Sequence, residues 1–178
     1  MIPEGFTIWF TGWSGSGKTT LAIALENELK KRGLPYVQRL DGDIMREDLC
    51  SDLGFSKDDR DENIRRASCV AELLSKNGVA TLVSFISPYR AARDNARKKC
   101  HNFVEVFVKC DKEILIKRDV KGLYKKAING EIPEFTGISD PYEEPLHPEI
   151  TVCSDIQSIE ESLAEILMYL SNKGFIVN

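Results

Sequence analysis

The sequence predicts an α/β fold: three layers, α/β/α, around a mainly parallel sheet of five strands, with a loop-rich lid over about residues 118–147. Three observations carry that prediction. Strand-like and helix-like segments alternate along the chain, the pattern of linked β-α-β units. Residues 79–86 are apolar on consecutive positions, as in a central parallel strand covered on both faces. A glycine-rich loop joins the first strand directly to the first helix.

The elements follow in order. Phe6–Thr11 is apolar, β-branched and aromatic, bounded by Gly5 and Gly12, and reads as a buried strand. Residues 18–32 set Leu21, Ala24, Leu25 and Leu29 on one helical face and stop at Gly33. Residues 36–40 form the second strand. Helices follow at 43–50 and 57–76, the longer one carrying Ile64, Ala67, Val70, Ala71 and Leu74 on one stripe and ending at Asn77-Gly78. Strand 79–86 ends before Pro88, and 89–99 is a strongly basic helix. A fourth strand at 103–108 leads to a short helix at 112–117. Residues 122–147 break the pattern, with Gly122, Gly130, Pro133, Gly137, Pro141 and Pro145 and few periodic apolar positions. A loop this long inside a compact domain is generally functional, often a lid. A fifth strand at 149–153 and a helix at 158–172 complete the chain.

A length of 178 residues fits one domain, and 42% apolar residues support a core. No apolar run approaches the ~20 residues that cross a bilayer, so no membrane partner is expected. Met1-Ile2-Pro3-Glu4-Gly5 has no basic leader, and five scattered cysteines without C-x-x-C suit reduced thiols. Both point to the cytoplasm. A net charge of −4 lacks the basic footprint of a nucleic-acid binder.

Gly12-Trp13-Ser14-Gly15-Ser16-Gly17-Lys18-Thr19 fits G-x-x-x-x-G-K-T between a strong strand and a strong helix. That is a P-loop, and the fold is of the P-loop NTPase type. Its glycines let backbone N–H groups turn inward around phosphates. The candidate ATP-binding residues are Gly12, Ser14, Gly15, Ser16, Gly17, Lys18, Thr19 and Thr20. Lys18 bridges the outer phosphates as a catalytic residue, and the Thr19 hydroxyl ligates Mg²⁺. No N-K-x-D guanine signature appears, and strand 79–86 ends without an acid. The missing carboxylate is sought in Asp41-Gly42-Asp43, at the carboxyl edge of the second strand, to hold Mg²⁺ or to accept a proton.

Beyond this loop the chain resembles the adenylylsulfate kinase family over nearly its whole length. The matching stretches are 11–20, 40–46, 52–66 (DLGFSKDDRDENIRR), 84–90 (SFISPYR), 118–127 (RDVKGLYKKA) and 130–138 (GEIPEFTGI). The resemblance implies ATP-dependent phosphorylation of the 3′-hydroxyl of adenosine 5′-phosphosulfate. It also implies a homodimer and functional coupling to ATP sulfurylase.

Arg60 and Asn63 are three apart and share a helix face, which by itself reads as a solvated face paired with neighbouring acids or as a substrate surface. The resemblance selects Arg60, Asn63 and Arg46 as acceptor ligands. It makes Phe55 and Phe135, otherwise loop anchors, the pair that sandwiches the acceptor adenine. It places Asp43 near the acceptor hydroxyl and the metal, makes Asp43 and Ser87 catalytic residues beside Lys18, and sets Ile86 and Ser87 along the acceptor. Ser87 matches a serine described as phosphorylated in some members. Arg118 matches a residue that stacks on the ATP base, and Lys121 one that reaches substrate. The chain departs from the family at Ile44 (commonly Asn), Glu134 (commonly Gly) and Trp13 (usually Leu). Two other readings are a P-loop kinase for another small hydroxyl substrate and a catalytically silent nucleotide-binding domain. Retention of Lys18, Thr19, Asp43, Arg60 and Asn63 speaks against the silent one.

Overall fold

The computed structural model describes residues 4–177; residues 1–3, on which the leader reading partly rests, lie outside them. The strands are β1 (Phe6–Thr11), β2 (Val37–Asp41), β3 (Ala80–Ser84), β4 (Phe103–Lys109) and β5 (Ile150–Cys153). All neighbours pair in parallel, in the order β2-β3-β1-β4-β5. The helices are α1 (Lys18–Lys31), α2 (Gly42–Glu47), α3 (Lys57–Lys76), α4 (Arg90–Lys99), α5 (Lys112–Arg118), α6 (Leu123–Ile128) and α7 (Ile159–Asn172).

Strand β1 is buried along its whole length, and its alternation divides the core between two layers. Phe6, Ile8 and Phe10 face Leu21, Leu25 and Leu29 of α1 and Ile166 and Leu170 of α7. Trp9 points the other way and, with Leu40 and Val83, meets Ile64, Ala67 and Ala71 of α3 and Ala96 of α4. Each buried Leu, Ile, Val or Phe side chain contributes about 1.5–3 kcal/mol by leaving water. The Ser56 hydroxyl accepts the Asp59 N–H at 3.2 Å at the head of α3, and Ser158 and Glu161 form a reciprocal capping box on α7.

Beyond one-residue shifts at several element ends, three features differ from expectation. Helix α2 ends at Glu47 rather than at residue 50, because Asp48 leaves helical geometry at φ −134°. Strand β3 ends at Ser84, two residues early, since the chain turns sharply at Ser87 (φ 42°). Helix α6 lies inside the stretch read as loop. Its 6 residues are too few to display a period, and it is held by the Asp119 carboxylate, which accepts the N–H groups of Tyr124 and Lys125 at 2.9 and 3.1 Å. A third apolar cluster, of Cys110, Leu115, Tyr124, Ala127 and Phe135, packs that segment down. Among the described residues no helix is long and apolar enough to cross a membrane.

Candidate active site

The carboxyl ends of β1, β2 and β3 meet at one edge, where ligands of open α/β sheets collect. From β1 the chain enters the phosphate loop. At Gly12 (φ 151°) an added Cβ would lie 2.5 Å from the Val108 carbonyl oxygen, so only glycine fits. Gly17 begins α1 in a left-handed conformation with no side-chain cap. The first N–H groups of the helix are therefore left for an anion. Lys18 is buried, its Nζ donating to the carbonyl oxygens of Gly12 at 2.9 Å and Trp13 at 2.7 Å. Burial pulls its ammonium down to about 7, helped by Lys121 and opposed by Asp43 and Asp41.

The acid hydrogen-bonded to Thr19 is Asp41, whereas Asp43 was the acid expected to share a metal with it. Asp41 Oδ2 accepts from Thr19 Oγ1 at 2.8 Å and Ser84 Oγ at 2.9 Å, while Oδ1 accepts the Asp43 N–H at 3.0 Å. Burial pushes the Asp41 carboxyl up, but these hydrogen bonds and Arg39 outweigh it and hold it below the ordinary carboxylate range. Asp41 ends β2 with its side chain turned in to cap α2; Asp43, in the first turn of α2, projects outward. The Asp43 carboxylate instead pairs with the Lys121 ammonium. Among the described residues no group of three or more His, Cys, Asp or Glu side chains gathers. The hard oxygens of Thr19 and Asp41 suit Mg²⁺, which commonly takes one or two protein ligands and completes its shell with phosphates and water.

One cavity of about 620 Å³ joins both halves of the site. On the phosphate side it is lined by Ser14, Gly15, Gly17, Lys18, Thr19 and Thr20. On the other side stand Asp43, Arg46, Phe55, Arg60, Asn63, Ile86, Ser87, Lys121 and Phe135. Gly12 and Ser16 of the same loop are buried and do not line the cavity. Arg118 stands outside the cavity, beside a small hollow shared with Ser14, Gly15 and Tyr124, and donates to the Ser154 carbonyl oxygen at 3.4 Å. Phe55 is 58% exposed, with the Arg46 guanidinium 4.5 Å from its ring centre, so it is no core anchor. Phe135 is buried edge-on against Tyr124 at 5.1 Å. Asn63 is buried and its Oδ1 has no hydrogen-bond partner among the described residues.

Arg60 and Ser87 are more constrained than expected. The Arg60 guanidinium donates to the Phe55 carbonyl oxygen at 2.7 Å, to Thr136 Oγ1 and to the Glu134 carbonyl oxygen. Burial requires such partners, so Arg60 holds residues 134–136 in place and offers no free fork. Ser87 Oγ accepts from Trp9 Nε1 at 3.1 Å, and its carbonyl oxygen accepts from Arg93 at 2.6 Å. Arg93 is anchored in turn by Glu105 at 2.8 Å. Sequence reasoning named Asp41 only within its tripeptide and missed Thr136, Trp9, Arg93 and Tyr124, isolated residues whose part depends on distant partners.

The family profile of adenylylsulphate kinase matches residues 4–153. A probable adenylyl-sulfate kinase of Pseudomonas aeruginosa is 60% identical over 163 residues, 92% of this chain and 76% of the relative. A Sorangium cellulosum protein, "probable bifunctional SAT/APS kinase 2", is 51% identical over 97% of this chain and 30% of its own length. The solved Mycobacterium tuberculosis APS kinase CysC in complex with AMPPNP and APS superposes with a TM-score of 0.90 at 44% identity, covering 95% of this chain and 99% of that one. With the family profile matched over most of its length and such identities end to end, the chain belongs to the adenylylsulphate kinase family.

Proposed function

We propose that the chain transfers the γ-phosphoryl group of ATP to the 3′-hydroxyl of adenosine 5′-phosphosulfate, giving the 3′-phosphorylated product and ADP in sulfate assimilation. The observation that carries this reading is the shared cavity, which puts a P-loop opposite two aromatic rings, an Asn63 oxygen unpaired among the described residues and the basic Arg46. A sugar acid would have little use for Phe55 and Phe135; a flat nucleobase does.

In this reading the loop amides and Lys18 hold the triphosphate, and Arg118 borders the ATP base. Asp43 orients the acceptor hydroxyl and takes its proton as the O–P bond forms. Lys121 leaves Asp43 for the anionic acceptor. Thr19 and Asp41 would hold Mg²⁺, which when bound would supply charge neutralisation at the transferring group. Ser87 lines the acceptor without becoming phosphorylated, since in-line transfer between two bound nucleotides needs only positioning and charge stabilisation. The whole chain acts as one P-loop kinase domain with about residues 118–147 as its lid. It works as a cytoplasmic homodimer, and the bifunctional relative supports coupling to ATP sulfurylase.

The test is incubation with ATP, Mg²⁺ and adenosine 5′-phosphosulfate, with the product resolved by chromatography and phosphorus NMR. A 3′-phosphate on the product is expected. ATP binding without any transfer at saturating acceptor would support the silent domain instead.

A further inference from the structure

The P-loop's Trp13 is used by none of the steps above, yet its side chain packs against Gly137, Tyr142 and Lys112. Its ring lies against Gly137, where an added Cβ would come 2.4 Å from Cζ3. Tyr142 tilts against it with ring centres 6.0 Å apart, and the Lys112 ammonium stands 5.5 Å from the ring centre. Gly137 sits at φ 90°, a conformation costly for other residues, so both the backbone and the ring demand glycine there. The main chain of Trp13 faces the donor side, its carbonyl oxygen accepting from Lys18 Nζ at 2.7 Å.

Two further contacts run the same way. The Tyr124 hydroxyl donates to the Ser14 carbonyl oxygen at 2.7 Å while its ring meets Phe135 edge-on. The Tyr142 hydroxyl shares a 2.9 Å hydrogen bond with Thr11 Oγ1. The phosphate loop, at Trp13 and Ser14, and Thr11 just before it are thus bound at three points to residues 124–142, which carry Phe135 and Thr136 into the cavity.

We infer that Trp13 is a positioning residue for the acceptor half of the site: through Gly137 it fixes Phe135 against the phosphate loop. This rests on the reading of Phe135 as an acceptor contact. The ring touches neither nucleotide in this role. Its loss should therefore weaken acceptor binding while leaving donor binding and the transfer step nearly intact.

The decisive experiment compares wild type, Trp13→Ala, Trp13→Phe and Gly137→Ala. In Trp13→Ala the KM for adenosine 5′-phosphosulfate should rise roughly five- to tenfold, the range expected for lost ring contacts. The kcat and the Kd of a non-hydrolysable ATP analogue should stay within about twofold. Trp13→Phe, which keeps an aromatic face on Gly137, should restore most of the loss. Gly137→Ala should raise the same KM, and less so in a Trp13→Ala background, because the clashing ring is gone. Hydrogen exchange reads the link without turnover: amides of residues 133–142 should exchange several-fold faster in Trp13→Ala. If wild type fails to turn over, the function is wrong and exchange alone decides the link. Unchanged exchange, or an unchanged acceptor KM with weakened ATP-analogue binding, would overturn the inference.

Discussion

Lys18 sits on two carbonyl oxygens of its own loop, with its ammonium pulled down to about 7 from 10.5. A bound triphosphate restores negative charge beside it and raises that value. Between about pH 7 and pH 10 the free protein therefore holds less than a full proton on Lys18 and the complex holds nearly one, so binding takes up a proton. Calorimetry of an ATP analogue at about pH 8, in buffers of different ionisation enthalpy, should show uptake approaching one proton; net release would contradict the assignment. Asp43→Ala should lower kcat by about 10²–10⁴, the range for a proton-accepting group, with ATP-analogue affinity nearly unchanged. An unaltered kcat would remove Asp43 from the chemistry. Glu134 occupies a left-handed conformation at φ 53°. Glu134→Gly should relieve about 1 kcal/mol of strain and raise Tm by ~2–4 °C, since only its carbonyl oxygen holds Arg60. A lower Tm would show that no such strain is stored. These residue identities were legible where a motif specified them, as at Gly12–Thr19. Whether a side chain faces the cavity or its neighbours was not: Arg60 and Asn63 are equally buried and differ only in that the guanidinium is taken up by Phe55, Thr136 and Glu134, and Asp41 stood behind Asp43 until its bonds to Thr19 and Ser84 were seen.

At the scale of elements, the strand–loop–helix unit β1–α1 and the long stripe of α3 were readable because periodicity and glycine placement agree. Helix α6 escaped because one and a half turns give no period; its start depends on Asp119 and its docking on Tyr124 and Ala127. The turn after β3 escaped for a different reason. Ser87 keeps its positive φ through Trp9 and Arg93, and Arg93 is held by Glu105 in the middle of β4. Arg97 joins this network through Glu105 and Glu149. An acid in a buried strand invites no structural reading from sequence, yet here it orients the acceptor turn through Arg93. Glu105→Ala leaves the Arg93 charge buried without its carboxylate and should cost about 3–5 kcal/mol in urea unfolding. A loss below about 1 kcal/mol would mean the network is dispensable.

At the scale of the whole molecule, the alternation of strands and helices predicted a parallel α/β sheet, and the order β2-β3-β1-β4-β5 sets the phosphate loop at its centre. Strand order itself was not legible, since it depends on which apolar faces meet across the sheet. The same topology brings β2 and β3 to one side of the loop, so that Asp41, Ser84 and Thr19 converge although 65 residues separate Thr19 from Ser84 in sequence. Residues 119–142 close the opposite side, where Lys121 reaches Asp43 and Tyr124 reaches Ser14. One cavity then has a donor end and an end shaped for a flat, anionic acceptor. The most direct measurement is the ratio of kcat/KM for adenosine 5′-phosphosulfate to that for a sugar acid such as gluconate, with ATP and Mg²⁺ held fixed. The account predicts a ratio above about 10², because the sugar acid leaves both rings and Asn63 without partners. Equal or better use of the sugar acid would contradict it.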